Sequence, residues 1–168
     1  MSTLQQYFFI FSGLVSLMVL GNYLIHIYYK KKQKVVEREI QNLKHEKILG
    51  VELTQEWNLG FRYNKADLIL LENQLIIYVY NYNFKGYIKQ AQPIILLYKK
   101  PCNLIYSKGF SYVQPILEVV KKNKSVILKT KMNSLFQNKI VSFKLYLSDT
   151  DISKVRNYMN SQNEDVKK

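Results

Sequence analysis

The sequence predicts an α+β, mainly β protein. An N-terminal transmembrane helix and a helical stalk lead into a bent β-sandwich or barrel of about seven strands, capped by a C-terminal helix. Three observations predict it. Tyr7 to Tyr29 contains no Asp, Glu, Lys or Arg. From Asp67 onward, short runs rich in β-branched and aromatic residues alternate apolar with polar side chains. After the last of them, Ser148-Asp149-Thr150-Asp151 opens a segment with apolar residues at helical spacing.

The charge-free run sets the organisation. As a helix its 23 residues extend about 34 Å, enough to cross a hydrocarbon core of roughly 30 Å. Residues 7–29 are therefore assigned as the transmembrane helix. A cleaved signal peptide does not fit: the apolar run is too long, Met1 to Gln6 carries no basic side chain, and no small-residue cleavage pattern follows. Lys30, Lys31, Lys32 and Lys34 follow at once, and no Lys or Arg precedes. The positive-inside rule then places the N-terminus outside and the rest in the cytoplasm, as a single-pass protein of the plasma or inner membrane. Tyr7, Tyr28 and Tyr29 suit the two headgroup layers. Gly13, Ser16 and Gly21 offer a small-residue face. Asn22 and His26, one turn apart, are expected to reach the interface.

Residues 30–48 are expected to continue as a basic juxtamembrane helical connector. Val36, Ile40 and Leu43 recur at helical spacing, and no Gly or Pro intervenes before Gly50. Lys30, Lys31, Lys32, Lys34 and Arg38 are candidate contacts for anionic lipid headgroups, because lysines this close to a bilayer are drawn to it electrostatically. His45-Glu46 resembles the start of a zinc-protease motif, but Leu49 stands where the second His belongs.

Residues 51–160 read as the β domain. Leu68–Leu71 and Leu75–Tyr82 flank Glu72-Asn73-Gln74 as a hairpin. In the second run Leu75, Ile77 and Val79 share one face, and Ile76, Tyr78, Tyr80 and Tyr82 share the other. This tyrosine stripe is expected to be a second packed face, under Trp57, Phe61 and Tyr63, or a partner surface. Pro93–Tyr98 and a short run Leu104–Tyr106 follow. Pro115–Lys122 and Ser125–Met132 form a second hairpin around Asn123-Lys124. In Ile140–Leu147, Val141, Phe143, Leu145 and Leu147 point inward. Ser148 N-caps the last helix, acidic residues occupy its first turn, and Ile152, Val155 and Met159 form its stripe. Residues 161–168 are expected to fray.

Strand count and order, with the opening hairpin Ala66–Tyr80 and the closing Ser142–Met159, resemble the pleckstrin-homology-like superfold, including GRAM domains. The resemblance is one of pattern, not of residue signature. It implies binding rather than chemistry, with the last helix plugging one end of the barrel. Phosphoinositide-binding members use basic residues around the first hairpin; here that turn is Glu72-Asn73-Gln74. The lysines gather instead at Lys121, Lys122 and Lys124, and on Lys129, Lys131 and Lys144, a candidate basic face.

Composition narrows the function. The net charge is +13 and the pI about 9.7. Only three of the 25 basic residues are Arg, namely Arg38, Arg62 and Arg156. Lysine point charges suit diffuse attraction to an anionic surface better than forked readout of nucleic acid, though abundant Lys, Asn, Ile and Tyr also reflect AT-rich coding. No nucleic-acid partner is expected. The two histidines, His26 and His45, both precede the β domain, and Cys102 has no His partner within it. Neither zinc spacing nor a nucleotide-binding or nucleophile-elbow motif occurs. No catalytic residue, metal or cofactor is expected. The expected function is a membrane-anchored binding or scaffolding module that engages membrane-protein partners. The alternative is an anionic-lipid-binding domain using its lysine face, and an enzyme with an unrecognised site is the outside alternative.

Overall fold

A computed structural model describes residues 3–56, 65–83, 88–99, 103–133 and 138–160. The apolar run belongs to one continuous helix, α1 (Thr3–Ile40). This helix is long and apolar enough to cross a membrane, and none of its most apolar 18-residue stretch is buried against the protein. Seven strands follow: β1 (Glu46–Glu56), β2 (Lys65–Leu71), β3 (Gln74–Asn83), β4 (Ile88–Tyr98), β5 (Tyr112–Lys122), β6 (Ser125–Asn133) and β7 (Asn138–Tyr146), with α2 (Asp149–Asn160) last. The α+β, mainly β class expected from the sequence is the class observed.

The strands close into a barrel in chain order, β7 returning to pair with β1 from Glu52↔Tyr146 to Glu56↔Ser142. Neighbours are antiparallel except β4 and β5, which run parallel from Ile95↔Tyr112 to Tyr98↔Pro115. A parallel pair cannot be joined by a tight turn, so the chain crosses over between them, and the described part of this crossover, residues 103–111, lies outside the barrel. The β2–β3 hairpin turns on Glu72-Asn73, and Asn73 takes a left-handed φ of 59° that Asn tolerates well. Gly50, at φ 68°, lies in the bulge that shifts the β1–β2 register between Ile48 and Val51, and its N–H donates to Asp67 Oδ1 at 2.9 Å.

Alternation along the strands makes two cores. Inside the barrel, Leu53, Leu68, Leu75, Ile77, Leu128, Phe143 and Leu145 pack with Val155 of α2, which closes one end. Thr130 is fully buried there, its hydroxyl donating to the Pro115 carbonyl at 2.8 Å. The second core lies outside the sheet. Ile69, Leu71, Ile76, Tyr78, Tyr80, Ile94 and Leu96 project outward and are covered by Val36 and Ile40 of α1. The facing of Ile76, Tyr78 and Tyr80 agrees with the sequence expectation. The cover is different: α1 supplies it, and Trp57, Phe61 and Tyr63 lie outside the described residues.

Two expected elements change. The connector helix ends at Ile40, not Ile48, and Leu43 sits exposed in the turn that follows, its N–H donating to the Ile40 carbonyl at 2.9 Å. Ile48, Val51 and Leu53 belong to β1, where the Gly50 bulge obscures their period-two spacing. Leu104–Tyr106 is not a strand but part of the crossover. The count of seven survives because β1 replaces it. At the other end Ser148 caps α2 as expected, accepting from the Asp151 N–H at 3.2 Å and donating to the Asp151 carboxylate at 2.6 Å. The side chain of Met159, Cys102 and residues 161–168 lie outside the described residues.

Candidate functional site

The site is the junction where α1 enters the barrel. Helical periodicity turns Asn22, His26, Gln33, Val36 and Ile40 toward the sheet, while Tyr23, Leu24, Ile25 and Tyr28 stay exposed on the other side. The β4 edge carries the first contacts. Only residues 95–98 of β4 pair with β5, so earlier backbone groups need other partners. The Ala91 N–H donates to His26 Nδ1 at 3.0 Å. Gln90 Nε2 donates to Asn22 Oδ1 at 3.1 Å and to the Asn22 carbonyl at 3.3 Å. The polar pair expected at the interface thus latches the helix to the sheet. Ser16, by contrast, is satisfied within the helix, donating to the Ser12 carbonyl at 2.8 Å.

Replacing His26 with Leu strands the Ala91 N–H at little cost in helix propensity. The expected loss is about 1–2 kcal/mol, seen as faster hydrogen exchange of the Ala91 amide with little change at β6.

The crossover holds α1 from the other side. Gln74 anchors it, donating to the Asn103 carbonyl at 2.8 Å and accepting from the Ile105 N–H at 3.0 Å. At its far end the Ser111 N–H donates to the Ile94 carbonyl at 2.8 Å. Between these points Ile105 and Phe110 pack into the second core, and Gly109 lies directly on the backbone of α1. The helix is therefore clamped between sheet and crossover.

Polar groups line the clamp. Gln33 Nε2 and the Tyr78 hydroxyl are buried and have no hydrogen-bond partner among the described residues. Burial, and then the charge of Glu37, push the Tyr78 phenol above its ordinary value of 10.0. Burial, and then the Asp67 carboxylate, do the same for Tyr80. The sign follows from linkage. Below pH 10 both phenols are neutral in either state; above it the unfolded chain ionises first and is favoured. Thermal stability should decline as pH rises beyond about 10, and the slope should flatten in the Tyr78→Phe/Tyr80→Phe double variant. An unchanged slope would mean that these phenols are not the groups responsible.

The sequence-derived candidates fall into three places. Lys30, Lys31, Lys34 and Arg38 are exposed on α1, and Lys32 is partly covered, its Nζ 4.9 Å from the Tyr28 ring centre. Lys121, Lys122 and Lys124 cluster exposed at the β5–β6 turn. Strand direction puts that turn at the rim opposite the Asn22 latch, because β5 runs parallel to β4 and away from it. Lys129, Lys131 and Lys144 project outward from β6 and β7, with Lys129 Nζ 2.8 Å from Glu118 and Lys144 Nζ 4.6 Å from the Tyr146 ring centre. Glu118 and Tyr146 therefore lie among the domain lysines.

Sequence reasoning missed Lys65 and Lys89. Lys89 Nζ stands 3.8 Å from the centre of the Tyr80 ring and 3.7 Å from Asp67 Oδ2, and Lys30 Nζ approaches the same ring at 5.8 Å. Lys65 is the register partner of Tyr80 on β2. Only pairing across three elements brings them together, so no local motif marks them.

At the opposite rim, a groove of about 1110 Å³ opens among His45, Glu46, Asn73, Gln74, Lys154 and Tyr158. Its wall is tied by Lys154 Nζ to Glu46 at 3.0 Å. Among the described residues no group of three or more His, Cys, Asp or Glu side chains is placed to hold a metal ion. No protein-family model, curated protein or solved structure matches the chain.

Proposed function

We propose that this chain is a single-pass membrane protein whose barrel acts as a binding or scaffolding module, held at the cytoplasmic face and engaging membrane-protein partners. One observation carries the reading: α1 is both the apolar helix and a wall of the barrel's second core. An anchor built into the module holds it in one place and one orientation. That raises its effective concentration toward partners in the same membrane without a flexible tether. The lysines after Tyr29 support the orientation, through the positive-inside rule. Seven strands with α2 against the barrel interior support the pleckstrin-homology-like assignment.

The barrel also presents apolar side chains away from α1, with Leu117 54 % and Tyr146 40 % exposed. Photo-crosslinkers placed at these two positions in the full chain, in native membranes, test the reading. Discrete protein adducts that disappear when the crosslinker is moved to Glu39, exposed on α1, support it. Adducts to lipid alone, or none, overturn the protein-partner reading. A reporter fused after Lys168 that proved extracytoplasmic would overturn the orientation.

A further inference from the structure

We propose that the rim of the barrel where β3 ends and β4 begins is a bilayer-contact surface, seated in the phospholipid headgroup layer beside the turns of α1 that leave the membrane. The inference deepens the reading that α1 crosses a bilayer and rests on it.

Two boundaries on α1 overlap. The first is where the barrel begins. Thr3 to Leu20 is exposed on every side, while Asn22 and His26 already bond to Gln90 and Ala91 near the start of β4. The second is where the apolar surface ends. Away from the barrel, Tyr23, Leu24 and Tyr28 are 60 %, 56 % and 54 % exposed, and charge begins only at Lys30 and Lys31. The barrel therefore starts about 9 Å of helix before the apolar surface stops.

Membrane thickness requires the same overlap. The 18 residues of Thr3–Leu20 extend about 27 Å, short of a hydrocarbon core of roughly 30 Å. Continued to Tyr28 the helix extends about 39 Å, which takes in the core and one headgroup layer of roughly 5–8 Å. Lipid that covers Tyr23, Leu24 and Tyr28 on one side of the helix stands next to Gln90 and Ala91 on the other. A helix is only about 10–12 Å across, so headgroups cannot cover one side and leave the barrel rim clear.

The rim is built for that depth. An open strand edge is costly where water thins, because its backbone groups find no partner. The part of β4 that β5 does not cover is closed by α1 there, with His26 Nδ1 accepting from the Ala91 N–H. An apolar side chain stands elsewhere on the same rim. β6 runs in the direction of β3, so its end lies where β4 starts. Two residues from the terminal Asn133↔Asn138 pair, Ile140 is 67 % exposed.

The test uses the full chain in phosphatidylcholine liposomes, with Cys102→Ser as background. A fluorophore is placed on Lys89→Cys at the rim, on Tyr28→Cys or, as the remote control, on Asn123→Cys. Carbonate extraction first checks that the chain is integral; release would overturn the spanning reading, and the surface with it. Headgroup-spin-labelled phosphatidylcholine in both leaflets then acts as the quencher. The labels at positions 28 and 89 should be quenched comparably, and several-fold more than the label at position 123. Raising the salt should leave that pattern unchanged, because depth and not charge sets the contact. Quenching at position 28 without position 89 in an integral chain would leave the spanning reading standing and overturn the rim contact. Equal quenching at all three positions, or loss at position 89 in high salt, would also overturn it. No quenching at position 28 would overturn the depth assigned to α1.

Discussion

A fragment beginning at residue 48 should not behave as an independent soluble domain, whereas one beginning at residue 22 should retain the native barrel in mild detergent. Composition alone suggests cutting after the basic connector, since the β domain reads as starting near Val51. The second core forbids it. Removing residues 1–47 deletes Gln33, Val36 and Ile40, which are buried against the sheet. It uncovers Ile69, Leu71, Ile76, Tyr78, Tyr80, Ile94 and Leu96, all buried in the full chain. An apolar face of seven large side chains exceeds what monomeric proteins usually leave in water. The cut also removes Glu46, the partner of Lys154. The expected result for 48–168 is association or insolubility, with weak amide protection in β3 and β4. For 22–168 the latch and both cores remain, and those amides should exchange as slowly as in the full chain. A monomeric 48–168 fragment with the same cooperative transition as 22–168 would show that α1 is a tether and not a wall.

That contrast shows what the sequence made legible. Alternation in Leu75–Tyr80 and Val141–Leu147 assigned side chains to faces correctly, because a strand's period of two is local and every residue reports on it. The N-cap of α2 was equally local. The helix end at Ile40 was not, because Gln41 to His45 contains no Gly or Pro and the Gly50 bulge breaks the alternation in β1. The tyrosine stripe announced a second buried face but not its cover. Val36 and Ile40 read as a narrow stripe on a stalk, and only the barrel's curvature shows that they are a lid for β2 to β4. The lysines behave in the same way. Lys30 to Lys34 are visible as a run; Lys65 and Lys89 join them through strand pairing alone.

Asn22 and His26 make the point about polar residues near an apolar helix. By sequence they are side chains escaping toward water. In the fold His26 Nδ1 is the acceptor for Ala91 N–H, a backbone donor in the part of β4 that β5 does not cover. The parallel step between β4 and β5 leaves part of a strand edge open, and α1 closes it. The crossover that this step requires then wraps the helix from outside. Topology, anchor and second core are thus one solution to a single problem, the unpaired edge.

Gly109 tests that unity most directly, and its replacement by Val should loosen the helix without damaging the barrel interior. A Cβ at this position would meet the Val36 side chain, would stand 2.8 Å from the Lys32 carbonyl oxygen, and would stand 3.1 Å from Ser107 Oγ. The first contact is with a side chain that can be trimmed. The second is with backbone, which moves only if α1 or the crossover moves. Overpacking of this kind costs about 1–3 kcal/mol, and a branched side chain against backbone belongs at the upper end. Hydrogen exchange should accelerate at Phe110 and at the latch amide Ala91, while Phe143 and Leu145 keep their protection. The double variant Gly109→Ala/Val36→Ala separates the two contacts. Trimming Val36 removes the side-chain clash but not the carbonyl, and leaves a small cavity. It should therefore rescue Gly109→Ala only in part, with an interaction energy of about 1 kcal/mol in the double-mutant cycle. Full additivity would mean that crossover and helix do not touch in solution, and the clamp would have to be abandoned. Partial rescue with intact barrel protection would show that the helix is held by close backbone approach at Gly109 as well as by apolar burial.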